Sequence, residues 1–378
     1  VSPTDDTFMR RALQLAAKYA GRVSPNPMVG CVIVDRRGEL IAEGAHKGPG
    51  HKHAEIEALD KLGGRAPGAT IYVNMEPCTH RREGKTPCAV AVKASGATRV
   101  VVGSEDTFPG HGGGIAALRR AGITVQRALV EECDRFNRGF LVWAATDRPA
   151  FTLKAALTLD GKIATVTGNS KWITGEAARV DVHRMRNAHD AILVGVGTVL
   201  ADDPWLNCRI RGGRDPIRIV LDGQLRTPPT ARLLPGKKGP RTIIATGLRA
   251  DKAKQAALEK AGAEVWRLKL RANGQVPLYE LSKDLGLQKI LSVLVEGGGQ
   301  VHASFLTDRF AHDLVLYIAP KVVGGPAPSW VGGKGVGTIA AAAQLRPLGE
   351  PAYLGPDLRL RFVPVPVPDP STELPDDD

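Results

Sequence analysis

The chain has 378 residues, long enough for two cores, and its 43% hydrophobic and 24% charged content is ordinary for a globular protein rather than a fibrous or disordered one. No apolar run nears the roughly 20 residues that cross a bilayer, the opening VSPTDD shows no basic-then-apolar pattern, so no signal peptide is expected, and five cysteines in so long a chain suggest no disulfide framework, so a reducing cytoplasm is the expected setting. The net charge of +12 suits phosphorylated small molecules or nucleic acid, but the basic residues are scattered in short pairs, such as Arg36 with Arg37, without interleaved aromatics.

Helical spacing of Phe8, Leu13, Ala16 and Ala20, with Gly21 just beyond, predicts a first helix over 6–20. Strands follow over 29–34 and 40–43, with Arg37 and Gly38 as the turn. Helices opening near His53 and Cys88 then alternate with strands over 70–75 and 99–102, and a helix over 114–120 completes the series. Such alternation predicts an α/β sandwich with a parallel or mixed sheet. The stretch from Thr146 to Pro149 interrupts it, and a second α/β series begins with strands over 151–157, 191–196, 217–221, 242–245, 292–295 and 314–318, with helices over 176–187 and 251–261. The expected domains are 1–147 and 148–365, followed by an acidic, Pro-rich tail over 366–378 expected to be disordered.

Chemistry concentrates in three pieces of the first half: His53-Ala54-Glu55, Glu76-Pro77-Cys78 and Pro87-Cys88. One imidazole and two thiolates are a suitable set for a zinc ion that keeps one position open. Glu55, two residues past His53, is placed to carry protons between an attacking water and departing ammonia. His53 and Cys88 each open a helix, where the helix dipole favours a thiolate. Any one of these residues alone reads more simply as a helix cap or a buried small side chain. Together and in order they match the H-x-E, P-C and second-Cys pattern of zinc deaminases acting on bases, except that nine residues separate the cysteines here. Cys31, Cys133 and Cys208 lack such neighbours and read as structural.

The tracts PNPMVGCVIVD, GAHKGPGHKHAE and EPCTHRREGKTPC resemble the deaminase domain of the bifunctional riboflavin-biosynthesis deaminase–reductases. The resemblance implies a cytidine-deaminase-like α/β/α fold, with His53, Cys78 and Cys88 as zinc ligands and Glu55 as the catalytic proton carrier. It further implies that Asn26, His46, His80 and Lys85 line the pocket for the pyrimidine and its phosphate. The loop between the cysteines is one residue longer than the family pattern, which shifts the register of His80 and Lys85.

From Pro149 onward, RPAFTLKAALTLDGKIAT, TGNSKWITG, HRMRNAHDAILVGVGTVLADDPWLNCR and VLVEGGGQVHASFL resemble the reductase domain of the same family, a fold similar to dihydrofolate reductase. Read without the family, the strand leading into Glu296, Gly297, Gly298 and Gly299 and then a helix is a place where a backbone approaches phosphate, although a Gly triplet is more often a tight turn. No GxGxxG follows a strand, so a Rossmann site is not indicated. The resemblance implies NADPH contacts at Ala156, Trp172, Thr198, Asp202, Gly298, Gly299, Gln300, Val301, His302, Ala303 and Ser304. It places Ser170, Arg186, Leu206, Arg209 and Glu296 around the ribose phosphate, for which two arginine forks are chemically apt. Lys154 is read as a catalytic partner for the opening sugar ring, and Gly223 stands where the family often carries Ser, removing one hydroxyl contact to the cofactor.

The implied function is two consecutive steps of riboflavin biosynthesis. Zinc-dependent hydrolytic deamination of 2,5-diamino-6-(ribosylamino)pyrimidin-4-one 5'-phosphate precedes NADPH-dependent reduction of the ribosyl side chain to ribityl. The expected partners are small molecules and further copies of the chain through the reductase domain, not nucleic acid or membrane. The rival readings are a deaminase of flipped bases in nucleic acid, disfavoured by the long inter-cysteine loop, and a non-enzymatic ligand sensor, disfavoured by the complete zinc set with Glu55.

Overall fold

The computed structural model describes residues 3–80, 86–234, 236 and 239–365, so Lys85 and the acidic tail lie outside the described residues. The chain divides into two compact units, Val1–Asp147 and Arg148–Asp378. No helix among the described residues is long and apolar enough to cross a membrane.

The first unit runs α1 (Pro3–Ala17), β1 (Gly30–Val34), β2 (Leu40–Ala45), α2 (Ala54–Asp60), β3 (Thr70–Met75), α3 (Cys88–Ala94), β4 (Arg99–Ser104), α4 (Gly114–Arg120), β5 (Thr124–Arg127), α5 (Val130–Phe136) and α6 (Arg138–Thr146). Its sheet has the order β2-β1-β3-β4-β5. The β2-β1-β3 part is antiparallel and the β3-β4-β5 part parallel. Strand β1, GCVIV, is buried at every position, as a strand covered on both faces requires. The first helix begins three residues earlier than its apolar spacing indicates. Asp5 and Asp6 lie in its first turn, where acid suits the helix dipole, and Asp5 is further held by Arg99 and Tyr72.

Close backbone approach sets where the helices begin. A side chain at Gly44 on β2 would sit 2.2 Å from the Ala54 carbonyl oxygen, so α2 rests directly on the strand. A side chain at Gly114 would sit 1.8 Å from the Pro77 carbonyl oxygen, fixing α4 against the segment that carries Cys78.

The second unit runs β6 (Ala150–Thr158), α7 (Glu176–Ala188), β7 (Ala191–Gly195), α8 (Val196–Asp202), β8 (Ile217–Leu221), β9 (Thr242–Gly247), α9 (Lys252–Lys260), β10 (Ala263–Leu268), α10 (Leu278–Leu287), β11 (Ser292–Val295), α11 (Gly299–Thr307), β12 (Ala311–Ala319), β13 (Gln344–Pro347), β14 (Ala352–Leu354) and β15 (Asp357–Val365). The strands β10-β9-β8-β7-β11-β6-β12 are parallel, and β15, with β13 and β14 beside it, closes one side antiparallel. One face carries a core built from Phe151, Leu153, Leu193, Ile219, Val293 and Phe305, and the other a core from Ile192, Val194, Val220 and Ile244. Along β6 the fully buried Phe151, Leu153, Ala155 and Leu157 alternate with Thr152, Lys154 and Ala156, so the strand period presents Lys154 and Ala156 on one face.

Gly44→Ala is expected to destabilise the first unit by about 1–3 kcal/mol through overpacking. Calorimetry should show its melting transition lowered, and chelator competition should show weaker zinc retention, because the displaced helix carries His53 at its N-terminus.

Candidate active sites

In the first unit His53 is the N-cap of α2 and Cys88 the first residue of α3, while Cys78 follows β3 in the segment after Met75. The Ala89 amide donates to the Cys78 carbonyl, tying the Cys78 segment to α3. Glu76 pins the same segment, its carboxylate accepting from the Ile115 amide at 2.8 Å and the Asp106 amide at 3.0 Å. The ligand atoms of His53, Cys78 and Cys88 all lie within 4.8 Å of one another. His53 Nδ1 is 3.2 Å from Cys88 Sγ and 3.6 Å from Cys78 Sγ. Tetrahedral zinc with bonds of about 2.0–2.1 Å to nitrogen and about 2.3 Å to sulfur spaces those atoms roughly 3.6 Å apart, so the donor set fits the ion.

Glu55 lies on the buried side of α2 beside this set. Burial pushes its carboxyl up to about 7, with His53 pulling the other way. Hydrogen bonds from Cys88 and His53 hold the Cys78 thiol well below its usual value, while the shared hydrogen bond and burial raise Cys88. A carboxyl group balanced near neutrality can both take up and give back a proton.

The cleft around these residues is lined by Asn26, His46, His80, Asp106, His111 and Phe140 as well. His46 Nδ1 donates to the Lys52 carbonyl at 3.0 Å, which leaves Nε2 to accept from the Asn26 amide at 2.9 Å. His80 stacks on His111 with ring centroids 3.9 Å apart and planes at 15°. Of the residues expected in this pocket, Asn26, His46 and His80 are brought together, and Lys85 lies outside the described residues. Sequence reasoning missed Asp106, His111 and Phe140. For Asp106 and His111 the available signal was a polar, aromatic and Gly-rich loop directly after the parallel strand β4, where ligands of α/β sheets gather, whereas Phe140 comes from α6.

In the second unit Lys154 on β6, Arg186 on α7 and Glu296 just past β11 form one buried cluster. Arg186 grips the Glu296 carboxylate with Nε at 2.7 Å and Nη2 at 2.9 Å, and Lys154 Nζ adds a contact at 3.1 Å. Burial alone would raise the Glu296 carboxyl, but the charges and hydrogen bonds of Arg186 and Lys154 outweigh it and hold the group well below the usual carboxylate range. Three of its roughly four acceptor positions are used, leaving one for a ligand hydroxyl. Arg186 Nη1 also donates to the Asn207 carbonyl, in the segment that carries Leu206 and Arg209. Leu206 is buried with φ of 49°, a left-handed conformation that costs an L-residue on the order of 1–3 kcal/mol and is held by its surroundings.

Ser170 Oγ donates to Asp202, so an expected substrate residue and an expected cofactor residue share one hydrogen bond. Trp172 is exposed, with the Arg179 guanidinium 4.7 Å from its ring centroid. Ala156 packs against the α7 core instead of standing open. The adjacent parallel strands β7 and β11 each run through glycine into a helix, α8 and α11, and a side chain added at Gly298 would have only Thr198 Oγ1 near it, at 4.0 Å. Two glycine-opened helix starts side by side fit the pyrophosphate of a dinucleotide. The rest of the run divides by helical geometry. Val301 packs against Gly195 and Gly297, His302 is buried with Nδ1 donating to the Trp330 carbonyl at 2.9 Å, and Ser304 bonds back to the Gln300 carbonyl. Ala303 and Gln300 meet the strap at Gly332 and Gly333. What this stretch offers a phosphate is therefore backbone, and the His302 and Ala303 side chains serve packing.

The cytidine and deoxycytidylate deaminase zinc-binding region matches residues 2–104, and the RibD C-terminal domain matches residues 149–351. The riboflavin biosynthesis protein RibD of Actinobacillus pleuropneumoniae is 43% identical over 95% of both chains. A diaminohydroxyphosphoribosylaminopyrimidine deaminase/5-amino-6-(5-phosphoribosylamino)uracil reductase structure from Thermotoga maritima superposes with a TM-score of 0.82 at 33% identity, covering 96% of this chain and 99% of that one. The chain belongs to the RibD family. It is a bifunctional enzyme of riboflavin biosynthesis, a zinc-dependent deaminase and an NADPH-dependent reductase. The cytidine-deaminase-like and dihydrofolate-reductase-like folds expected from the sequence are those of the RibD family.

The Glu296 carboxyl, depressed below its unfolded value of about 4.3, stabilises the fold fully above that pH and loses the contribution as pH falls through the folded value. Urea unfolding of the second unit should show the stability gap between the parent chain and Glu296→Gln narrowing by about 1–2 kcal/mol from pH 5 to pH 3.

Proposed function

We propose that residues 1–147 deaminate 2,5-diamino-6-(ribosylamino)pyrimidin-4-one 5'-phosphate and that residues 148–365 reduce the ribosyl side chain of the product to ribityl. The observation that carries the first half is the convergence of His53, Cys78 and Cys88 beside the buried Glu55. His53 Nδ1 and the two thiolates would hold the zinc ion, which when bound makes a water acidic enough to act as nucleophile near neutral pH. Glu55 takes the proton from the attacking water and returns it to the departing amine. Asn26 and His46, already hydrogen-bonded to each other, present polar edges to the pyrimidine, and the His80–His111 stack forms a flat wall beside it. Lys85 is assigned to the phosphate by family pattern.

In the second half NADPH, when bound, supplies the hydride. The backbone at Gly298 and Gly299, with Thr198 beside it and Asp202 and Trp172 near the substrate side, would orient the cofactor. Lys154 spends one ammonium proton on Glu296 and keeps two, which supports a role in donating to the ring oxygen as the sugar opens. Arg186 is occupied by Glu296 and Asn207, so phosphate binding falls mainly to the exposed Arg209, with Ser170 and Leu206 shaping the site. Exposed apolar side chains on this unit, among them Leu159, Val322 and Ile339, support a homo-oligomer joined through it. The five free cysteines, two of them proposed zinc ligands, support a reducing cytoplasm.

Incubation of the purified chain with the diaminopyrimidinone phosphate is expected to raise the substrate mass by about one unit, and added NADPH to raise it by about two more, the gains of exchanging an amine for oxygen and adding two hydrogens. Glu55→Gln should retain zinc yet lose deamination by at least about 100-fold, the lower range for a removed general acid–base group. Deamination that survives this substitution would refute the assignment.

A further inference from the structure

Arg209 is an exposed loop arginine, and its backbone must be anchored if its guanidinium is to meet a phosphate in a fixed place. The segment 206–209 touches α7 at three points. Arg186 Nη1 donates to the Asn207 carbonyl at 3.0 Å, Cys208 Sγ donates to the His183 carbonyl at 3.4 Å, and the Arg209 amide donates to His183 Nδ1 at 3.3 Å. His183 lies one helical turn before Arg186, so both side chains project from the same side of the helix.

We propose that His183 is a positioning residue of the reductase, an uncharged acceptor that fixes the Arg209 backbone so that its guanidinium meets the substrate phosphate. The proposal rests on the phosphate reading of Arg209. The chemistry of the position narrows what could serve. An acceptor is needed for the Arg209 amide, yet a carboxylate beside Arg186 and Arg209 would pair with a guanidinium and cancel the charge that attracts phosphate. An imidazole meets both demands only while neutral. Burial, followed by the charges of Arg186 and Arg209, pushes His183 down to about 4, against smaller opposing effects of Glu296 and the Asn207 carbonyl. At physiological pH it therefore keeps its Nδ1 lone pair for the Arg209 amide. Asn is the one close substitute, because its Oδ1 stands where Nδ1 stands and accepts without charge.

The test is steady-state reduction by the full chain with NADPH, using the phosphorylated substrate and its dephosphorylated counterpart. His183→Leu is expected to raise KM for the phosphorylated substrate about tenfold with kcat within about twofold, the range for one lost hydrogen bond, and to leave KM for the dephosphorylated one unchanged. His183→Asn should return KM to within about threefold of the parent. Hydrogen exchange at the Arg209 amide should accelerate in His183→Leu and stay slow in His183→Asn, which reads the contact without relying on turnover. Equal losses for both substrates, or no rescue by Asn, would overturn the proposal. Arg209→Ala separates the two layers. If it leaves phosphate selectivity intact, the reading of Arg209 fails and His183 falls with it; if it abolishes selectivity while His183→Leu is silent, the His183 proposal alone fails.

Discussion

The first active site exists because two helices are allowed to begin almost in contact with neighbouring backbone. Gly44 lets α2 lie against β2, and Gly114 lets α4 abut the Pro77 carbonyl. With those approaches set, His53 and Cys88 open their helices at the same spot, and Glu76, locked by the Ile115 and Asp106 amides, delivers Cys78 to them. Zinc selects this geometry through bond lengths and donor softness, but the backbone contacts make the geometry available first. The second unit follows a related rule. Glycines at the ends of β7 and β11 admit the start of two helices at the carboxyl edge of a parallel sheet, where ligands of such sheets bind.

Two buried glutamates show how environment assigns chemistry. Glu55 lies in a desolvated place with His53 as the main opposing influence, and its carboxyl rises to about 7. Glu296 is less deeply placed, and Arg186 and Lys154 surround it and keep it anionic. One residue is thereby suited to moving a proton, the other to holding cations and a hydroxyl in fixed positions. The same logic extends to His183, whose neutrality is enforced by burial and by the arginines it serves.

How much was readable in the sequence depended on how local each feature is. The zinc set occupies short motifs in which each ligand has a distinctive neighbour, and alternating apolar runs reported most core strands. The pattern does not mark β5, α5 and α8, which are short, or β10 and β13 to β15, which are partly exposed, where packing rather than apolar pattern fixes the strand, and α6 and α10 begin without a side-chain cap. Asp106, His111 and Phe140 reach the deaminase cleft from a loop and a helix with no spacing rule to link them to His53. Lys154 and Arg186 lie 142 and 110 residues from Glu296 and meet it only through the order of the sheet strands and the placement of α7. The inward turn of the His302 side chain, onto the Trp330 carbonyl, follows from the rotation of α11 and has no signature in the Gly-rich run itself.

The deaminase site depends on a zinc ion held by one imidazole nitrogen and two thiolates. X-ray absorption at the zinc edge on the purified chain measures that coordination directly. Two sulfur scatterers at about 2.3 Å with nitrogen or oxygen at about 2.0–2.1 Å, reduced to one sulfur in Cys88→Ser, would match the site. A shell of nitrogen and oxygen alone, or a sulfur count unchanged in that variant, would contradict it.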